Sequence, residues 1–407
     1  MSEGRVVILG GGHAGGSAAA FLRQYGHTGP IVLVGEEPLL PYQRPPLSKA
    51  WLKGEAGEDE LQLRPPSFYA ENDIAVRLGL KATRIDREAK IAFLEDGEAL
   101  HYDALIIATG ARARRLPLKG GELARTLELR TAADAEMLKA GIAPGKRLVI
   151  VGGGYVGLEV AASARALGAE ALVIEREPRI LARVAGPILS DFFTAYHRRH
   201  GVRFELGAWV EALEGADGQV SAVRLNDGRT VPCDLVLIGV GALPNQELAE
   251  AAGLPCDGGI VVDEEARTAD PAVFAIGDVT KRPLPLYSRS LRLESVPSAL
   301  EQAKQAAAAI TGHKPPAHEV PWFWSDQYDL KLQIAGVPFD VDDLVVRGDP
   351  ASARFAVFHM KGEVIQAVEA INSPAEFMGG RLLIGAKRPV SRERLADPQV
   401  SMKEVGI

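Results

Sequence analysis

The chain contains two copies of a glycine-rich loop, each directly after a run of apolar residues. The first copy reads Gly-Gly-Gly-His-Ala-Gly at residues 10–15, and the second reads Gly-Gly-Gly-Tyr-Val-Gly at residues 152–157. Each copy matches the turn between a buried parallel strand and a helix whose N-terminus binds the pyrophosphate of a dinucleotide. One such loop is a weak signal, but two in similar surroundings predict a protein that holds two dinucleotides.

The residues around both loops complete a strand–helix–strand unit. Small and apolar residues follow each loop, and a second apolar strand then ends at an acid, Glu36 in the first copy and Glu175 in the second. An acid about 20 residues after the loop accepts hydrogen bonds from the adenosine ribose. Because a carboxylate repels a 2′-phosphate, Glu175 favours NADH over NADPH, although the nearby Arg176 and Arg179 weaken this inference. The alternative is that both loops are structural turns and both acids are surface residues.

The composition is that of a globular protein. The chain has 407 residues, 47% of them hydrophobic and 24% charged, which allows two or three domains with their own cores. We see neither a secretory signal nor an apolar stretch long enough to cross a membrane, so we expect a cytoplasmic protein. The formal net charge of −7 argues against general nucleic-acid binding. We expect a monomer or a weak homodimer.

The cysteine content excludes two kinds of redox centre. An iron–sulfur cluster usually takes four cysteine ligands, and the chain has only Cys233 and Cys256, so we expect no metal site. A redox-active dithiol would need two closely spaced cysteines near the first loop, and these two do not meet that condition. We interpret both as inert thiols. The simplest reason to hold two dinucleotides is to pass electrons between them, and those electrons must therefore leave through an organic cofactor.

The order of the segments predicts an α/β fold with two Rossmann-like, three-layer nucleotide-binding domains and a C-terminal α+β domain. Apolar strands close the two units at residues 102–110 and 233–241, which makes a coarse internal repeat. Turn-rich segments near Pro117 and Pro244 suggest that the second nucleotide domain is inserted into the first. We therefore predict one domain from residues 1–116 and 240–318, a second from residues 117–239, and a C-terminal domain from residues 319–407.

Several longer motifs resemble the FAD-dependent, NADH-using ferredoxin reductases of bacterial oxygenase systems, which are glutathione-reductase-like flavoproteins. The resemblance covers essentially the whole chain. Besides the two loops, it is carried by residues 42–49 (YQRPPLSK), 108–110 (ATG), 129–131 (LRT), 276–278 (IGD), 294–296 (ESV) and 322–327 (WFWSDQ). The first and last of these motifs separate this branch from disulfide reductases and from cysteine-based oxidases and peroxidases. The resemblance implies tightly bound FAD in the first domain and NADH as co-substrate in the second.

The resemblance, together with the loops, also assigns residues to each cofactor. Those expected to contact FAD are Gly10, Gly12, Ala14, Gly15, Glu36, Arg44, Lys49, Ala82, Ala108, Thr109, Gly110, Arg130, Gly277, Asp278, Val296 and Trp324. Those expected to contact NADH are Gly152, Gly154, Tyr155, Val156, Gly157, Glu159, Glu175 and Gly241. Lys49, Glu159 and Trp324 are implied to lie near the reacting rings and are our candidate catalytic residues. His13 departs from the apolar residue common at its position, and we assign it no role.

Each candidate also has an ordinary structural interpretation. Lys49 could be a solvated lysine after a Pro-Pro turn, and Trp324 could be a core residue that shares a strand face with Trp322. Glu159 could be an ordinary helical acid, since we expect it in the first turn, where the helix dipole favours negative charge. Asp278 could cap a turn, although a carboxylate at the end of a strand suits the edge where α/β proteins bind ligands.

The resemblance implies that NADH gives a hydride to FAD, and that single electrons then pass to a two-iron (2Fe-2S) ferredoxin. That ferredoxin would feed a haem monooxygenase or a ring-hydroxylating dioxygenase. Because such ferredoxins are acidic, we expect docking at local positive charge, with Arg44, Arg289, Arg292 and Lys331 as candidates. Two alternatives stay open: a reductase of oxygen, quinone or another small acceptor, and a redox-sensing flavoprotein of the apoptosis-inducing-factor type.

Overall fold

The structure, a computed structural model, describes residues 3–407 and divides into two compact units. The first unit comprises the chain up to Gln43, Glu58–Arg112 and Leu243–Phe323. The second comprises Arg44–Gly57, Ala113–Ala242 and Trp324–Ile407. Two short strands, β8 (Ala111–Ala113) and β17 (Ala242–Pro244), lie where the chain passes from one unit to the other. The predicted division into four segments stays a prediction.

The first unit is built on a parallel sheet. Its strands are β1 (Val6–Leu9), β2 (Ile31–Gly35), β3 (Ile74–Leu78), β7 (Ala104–Ile107) and β19 (Val273–Ala275), in the order β19-β7-β1-β2-β3. An antiparallel sheet contains β4 (Ala82–Asp86), β5 (Ile91–Leu94) and β6 (Ala99–His101). A further small sheet contains β18 (Ile260–Val261), β20 (Thr280–Leu284) and β21 (Arg289–Leu291). The helices are α1 (His13–Gln24), α3 (Glu58–Leu61), α4 (Pro66–Glu71), α8 (Glu247–Ala251) and α9 (Val296–Thr311), with 3-10 turns at Gly277–Val279 and Pro285–Tyr287.

Three layers result, because successive residues of a strand face opposite sides of its sheet. Ile8 of β1 belongs to a buried cluster that includes Ala18 of α1 and Ala303 of α9. Leu9 belongs to a second cluster that includes Ala92 of β5. The small side chains on α1 let it pack closely against α9, as the alanine-rich sequence indicates.

The second unit repeats this arrangement ahead of its C-terminal part. A parallel sheet contains β9 (Thr126–Leu127), β10 (Arg147–Val151), β11 (Glu170–Glu175), β12 (Arg203–Leu206) and β16 (Leu235–Ile238), in the order β12-β11-β10-β16-β9. An antiparallel sheet contains β13 (Val210–Ala216), β14 (Gln219–Leu225) and β15 (Thr230–Pro232). The helices are α2 (Ala50–Lys53), α5 (Ala132–Gly141), α6 (Tyr155–Ala166) and α7 (Pro187–Arg199), with a 3-10 turn at Pro45–Ser48. Because β16 flanks β10 as β7 flanks β1, the predicted internal repeat is confirmed.

The C-terminal part of the second unit is an antiparallel sheet with two helices. Its strands are β22 (Trp322–Gln327), β23 (Leu330–Gly336), β24 (Asp343–Asp349), β25 (Arg354–Lys361) and β26 (Val364–Ile371), in the order β22-β23-β26-β25-β24. The helices are α10 (Pro374–Ala386) and α11 (Arg392–Ala396), with a 3-10 turn at Pro350–Ser352. Helix α10 packs on β23 and β26, which confirms the predicted α+β character. Within residues 3–407, none of the helices combines the length and the apolar character needed to cross a membrane.

Candidate functional site

The first glycine-rich loop connects β1 to α1, and its glycines meet different demands. Gly10 adopts φ +127°, and a Cβ there would lie 2.1 Å from the carbonyl oxygen of Ala108, so only glycine fits. A Cβ on Gly15 would lie 2.0 Å from the carbonyl oxygen of Gly10. A Cβ on Gly12, in contrast, would meet no described atom within 4 Å. Open space therefore adjoins Gly12, where none of the described side chains caps the N-terminus of α1.

Other residues predicted to bind FAD follow neighbouring strands of the same sheet. Ala108 directly follows β7, and Gly277 and Asp278 lie just after β19. Gly277 adopts φ +79°, and a Cβ there would lie 2.9 Å from the Cβ of Ala14 in α1. The first unit thus brings the carboxyl ends of β1, β7 and β19 together, which is where α/β sheets bind ligands.

The turn after β7 is held by Asn245, a residue that the sequence analysis missed. Thr109 Oγ1 donates a hydrogen bond to the carbonyl oxygen of Asn245 at 2.8 Å, and Asn245 Nδ2 donates to that of Thr109 at 2.9 Å. The backbone N–H of Asn245 donates to the carbonyl oxygen of Gly110, which adopts φ +64°. The only sequence signal was that asparagine after Pro244 is a frequent turn residue.

His13, to which the sequence analysis assigned no role, is the first residue of α1 and lies in the first glycine-rich loop. Burial lowers the pKa of His13, the carboxylate of Asp278 raises it, and Arg64 lowers it further. Its Nδ1 is buried and has no hydrogen-bond partner among the described residues. An orphaned polar atom beside an uncapped helix N-terminus fits a bound anionic group, because buried polar atoms normally have partners.

The remaining residues predicted for FAD in the first unit are more widely spread. Glu36 directly follows β2, and its side chain is 69% exposed, with one carboxylate oxygen 3.4 Å from Lys81 Nζ. Ala82 is the first residue of β4. Val296 is the first residue of α9, whose N-terminus is capped by Ser295. These three assignments stay predictions.

The second loop, between β10 and α6, has the same geometry as the first. Gly152 adopts φ +110°, and a Cβ there would lie 2.4 Å from the carbonyl oxygen of Gly239. A Cβ on Gly157 would lie 2.4 Å from the carbonyl oxygen of Gly152, whereas one on Gly154 would meet no described atom within 4 Å. Helix α6 begins at Tyr155, and no described side chain caps it. Both loops therefore fit the pyrophosphate of a dinucleotide.

The acid after the second strand of this unit is tied back to the loop. Glu175 Oε2 accepts a hydrogen bond from the backbone N–H of Gly153 at 2.7 Å, and Oε1 accepts one from Glu177 at 2.9 Å. A carboxylate fixed in this way keeps unused acceptor capacity on both oxygens. It is thus placed at the loop where the ribose of a dinucleotide would be expected.

Three further residues predicted for NADH also belong to the second unit. The Tyr155 hydroxyl lies 3.2 Å from the carbonyl oxygen of Val184, and burial, with a smaller contribution from Glu369, raises the pKa of Tyr155 well above its usual range. Val156 is 45% exposed although it is apolar. Gly241, shortly after β16, adopts φ +104°.

Lys49 and Glu159 form an ion pair inside the second unit. Lys49 Nζ donates to Glu159 Oε2 at 2.7 Å and to the carbonyl oxygen of Pro45 at 3.0 Å. The same Oε2 accepts from Ser48 Oγ at 2.5 Å, and Oε1 accepts from Ser325 Oγ at 2.6 Å. The Lys49 side chain is 18% exposed and that of Glu159 is 6% exposed. The mostly buried Glu159 carboxylate is therefore stabilised by three donors, from Lys49, Ser48 and Ser325.

The position of Glu159 in its helix differs from our expectation. Helix α6 begins at Tyr155, so Glu159 lies in the second turn, and the expected first-turn position is wrong. Because the helix dipole acts mainly on the first turn, the side-chain donors stabilise this charge instead. Ser48 and Ser325 were missed as site residues, although each is the direct neighbour of a predicted one.

The other predicted residues of the second unit are Arg44, Arg130 and Trp324. Arg44 Nη1 donates to the carbonyl oxygen of Arg130 at 2.5 Å. Trp324 is partly exposed on β22, and the side chain of the next residue, Ser325, points to the opposite face of the strand. Trp324 therefore directly precedes Ser325, whose hydroxyl donates to Glu159.

Both cysteines are free thiols. Burial is the main cause that raises the pKa of Cys233 and of Cys256 to about 11. Such thiols are protonated at neutral pH and react slowly. Among residues 3–407, no cluster of three or more His, Cys, Asp or Glu is arranged to hold a metal ion.

The chain matches two protein-family models. Residues 4–303 match the pyridine nucleotide-disulphide oxidoreductases, and residues 322–406 match the reductase C-terminal family. The chain is also 52% identical over 404 residues to the probable ferredoxin reductase CtmF of Castellaniella defragrans, with 99% of each chain covered. This chain belongs to the putidaredoxin reductase-like ferredoxin reductases. These ferredoxin reductases bind FAD and use NADH.

Two further comparisons support this assignment. Putidaredoxin reductase CamA of Pseudomonas putida is 42% identical over 405 residues, with 98% of this chain and 96% of the relative covered. The crystal structure of a covalent putidaredoxin reductase–putidaredoxin complex matches with a TM-score of 0.96 and 41% identity, and covers 99% of this chain and 98% of that one. The predicted fold class and the resemblance are thus confirmed, whereas the residues assigned to each cofactor stay predictions.

Proposed function

We propose that this protein passes a hydride from NADH to FAD and then single electrons to a two-iron (2Fe-2S) ferredoxin that serves an oxygenase. The observation that carries the proposal is the pair of loops in which Gly12 and Gly154 leave open space at an uncapped helix N-terminus. Two such sites suit two dinucleotides. The nature of the final acceptor is supported by the relatives, which are named ferredoxin and putidaredoxin reductases.

The residues of the first unit hold FAD in this proposal. The N-terminus of α1 binds the pyrophosphate, with His13 Nδ1 as an additional partner, and Glu36 accepts hydrogen bonds from the adenosine ribose. Asp278, at the carboxyl edge of the sheet, binds the sugar-alcohol chain. Bound FAD supplies the conversion between two-electron and one-electron transfer.

The second unit provides the site for NADH and two charged side chains for the reaction. The N-terminus of α6 binds the NADH pyrophosphate, and Glu175 accepts from the ribose hydroxyls. Lys49 supplies a positive charge whose position is fixed by Glu159 and by the Pro45 carbonyl oxygen. A fixed cation stabilises negative charge without having to reorganise. Trp324 presents an aromatic surface to the rings.

The proposal is tested with the purified protein under anaerobic conditions. We expect a yellow protein whose flavin absorbance is bleached by NADH, and which then reduces a 2Fe-2S ferredoxin in a ratio of two ferredoxins per NADH. Oxygen and a quinone serve as comparison acceptors in the same assay. A colourless protein that cannot be reconstituted with FAD would refute the first half. Faster turnover with oxygen or quinone than with any 2Fe-2S ferredoxin would favour the small-acceptor alternative.

We further propose that the protein acts in the cytoplasm. Support comes from the two free thiols, since reducing compartments keep cysteines unpaired. Fractionation of the source cells, with a cytoplasmic and a periplasmic marker enzyme, tests this assignment.

A further inference from the structure

A buried chain of hydrogen bonds connects helix α7 to Glu159 within the second unit. His197 Nε2 lies 2.7 Å from Gln327 Oε1, and Gln327 Nε2 donates to Ser325 Oγ at 3.1 Å. Ser325 Oγ in turn donates to Glu159 Oε1 at 2.6 Å. The exposed fractions of the four residues are 0% for His197, 1% for Gln327, 1% for Ser325 and 5% for Glu159. Because water hardly reaches these groups, the loss of one link would leave a buried polar atom unpaired.

The donors in this chain all point the same way. Gln327 uses its amide nitrogen toward Ser325, so its oxygen must accept from His197, and His197 Nε2 must carry a proton. His197 Nδ1 then accepts from the Tyr328 hydroxyl at 3.2 Å. Burial lowers the pKa of His197 to about 4, which keeps the imidazole neutral and the tautomer defined. Each residue in the series therefore donates its hydrogen bond toward the Glu159 carboxylate.

The His197 end of this series of hydrogen bonds is held in place by its surroundings. Tyr328 adopts φ +56° in the turn between β22 and β23, a conformation that is unfavourable for an aromatic residue. His200 stacks on the Tyr328 ring with 4.0 Å between centroids, and Tyr196 donates a hydrogen bond to Asp329. The last turns of α7 thus fix the turn that follows Gln327.

We propose that His197 is a positioning residue for the Lys49–Glu159 pair, acting through Gln327 and Ser325. The chain fixes Glu159 Oε1, so that Oε2 stays directed at Lys49 Nζ. A proton passing along it would have to convert the Gln327 amide into its imidic acid, so the chain transmits orientation and not protons. This inference rests on the roles proposed above for Lys49 and Glu159, and it explains why Ser325 and Gln327 accompany Trp324 in one motif.

The test measures the reactivity of the Lys49 amine, which the ion pair with Glu159 limits, and it needs no turnover. The flavin-loaded protein is treated with trace acetic anhydride, and acetylation of Lys49 is quantified by mass spectrometry relative to exposed lysines. The variants are Gln327→Leu and His197→Phe, which remove links, and His197→Gln, whose amide nitrogen can replace the Nε2 donor. Thr194→Val is the matched control, because this buried hydroxyl on α7 donates only to the Ser190 carbonyl oxygen at 2.7 Å.

We expect acetylation of Lys49 to rise about threefold in Gln327→Leu and in His197→Phe, as for the loss of one hydrogen bond that holds the pair. His197→Gln and Thr194→Val should match the parent, and Glu159→Gln should exceed all others. Unchanged Lys49 reactivity in Gln327→Leu would overturn the proposal, and so would an equal rise in Thr194→Val, which would indicate general loosening. Unchanged Lys49 reactivity in folded His197→Phe would overturn the proposal as well. If that variant fails to fold, His197→Leu, which also lacks the Nε2 donor, takes its place. Failure of NADH to bleach the flavin refutes the proposed function but leaves this assay readable.

Discussion

Alanine at Gly12 and at Gly154 should separate ligand binding from folding. Gly12 has φ −81° and ψ −168°, and Gly154 has φ −82° and ψ 178°, which are backbone conformations that alanine adopts readily. A Cβ at either position would meet no described atom within 4 Å. The protein itself therefore accepts both substitutions, and each methyl group occupies space next to the helix N-terminus where a pyrophosphate would lie.

The expected magnitudes differ between stability and binding. At a compatible conformation, Gly→Ala raises the free energy of unfolding by about 0.4–1 kcal/mol, because it restricts the unfolded chain. A methyl group that keeps a pyrophosphate from its N–H donors should weaken binding about tenfold or more, which is about 1.4 kcal/mol. Gly157→Ala is the contrasting variant, since its Cβ would lie 2.4 Å from the Gly152 carbonyl oxygen. Such overpacking costs about 1–3 kcal/mol of stability.

The assay combines three measurements on each purified variant: the ratio of FAD to protein, the Kd for NAD⁺, and the thermal midpoint of the flavin-free protein. Gly12→Ala should lose FAD during purification, whereas Gly154→Ala should keep FAD and bind NAD⁺ about tenfold more weakly. Only Gly157→Ala should unfold at lower temperature. Loss of FAD from Gly154→Ala, or an equal fall in thermal midpoint for Gly154→Ala and Gly157→Ala, would refute this reasoning.

Four further outcomes are expected. Glu175→Gln should narrow the ratio of kcat/KM for NADH over NADPH about tenfold, because charge repulsion of the 2′-phosphate is lost while the amide oxygen still accepts from Gly153; an unchanged ratio contradicts the assignment. The pKa of His197 is lowered from 6.5 to about 4, so the unfolded chain binds one more proton between these values. The free energy of unfolding should thus have its full value above pH 6.5 and fall by up to about 1.4 kcal/mol per pH unit toward pH 4. In urea titrations, His197→Gln should flatten this slope. Thr131→Ala should lower the free energy of unfolding in urea by about 1 kcal/mol, because Thr131 and Asp134 form a capping box on α5. Thr194→Ser, which lies outside any cap, serves as the control. Added salt should slow reduction of an acidic ferredoxin but leave reduction of a neutral dye by NADH nearly unchanged, and equal slowing would refute charge-steered docking.

Local sequence patterns were sufficient to predict the nucleotide-binding sheets. The runs that became β1 and β10 are short, apolar and followed by Gly10 and Gly152, whose positive φ angles no other residue adopts easily. Pattern and backbone chemistry agree at these positions, so strand, turn and helix could all be predicted. The acids Glu36 and Glu175 followed from the same repeat.

The ion pair of Lys49 and Glu159 was not visible in any local pattern. Its partners are 110 residues apart, and the third contact, from Ser325, comes from a residue 166 positions after Glu159. Resemblance to a family indicated the first two residues but not the bond between them. Hydroxyl donors such as Ser48 and Ser325 have no periodicity that would mark them, because their role depends on which turn, helix and strand the fold brings together.

The two acids that look equivalent in the sequence differ in how the structure holds them. The Glu36 side chain is 69% exposed and lies 3.4 Å from Lys81 Nζ, whereas Glu175 is fixed by the backbone N–H groups of Gly153 and Glu177. A fixed acceptor lowers the ordering cost of binding, and this matters most for a ligand that must bind and leave in every turnover. A cofactor that stays bound gains less from such pre-ordering. The difference therefore agrees with NADH in the second unit and FAD in the first.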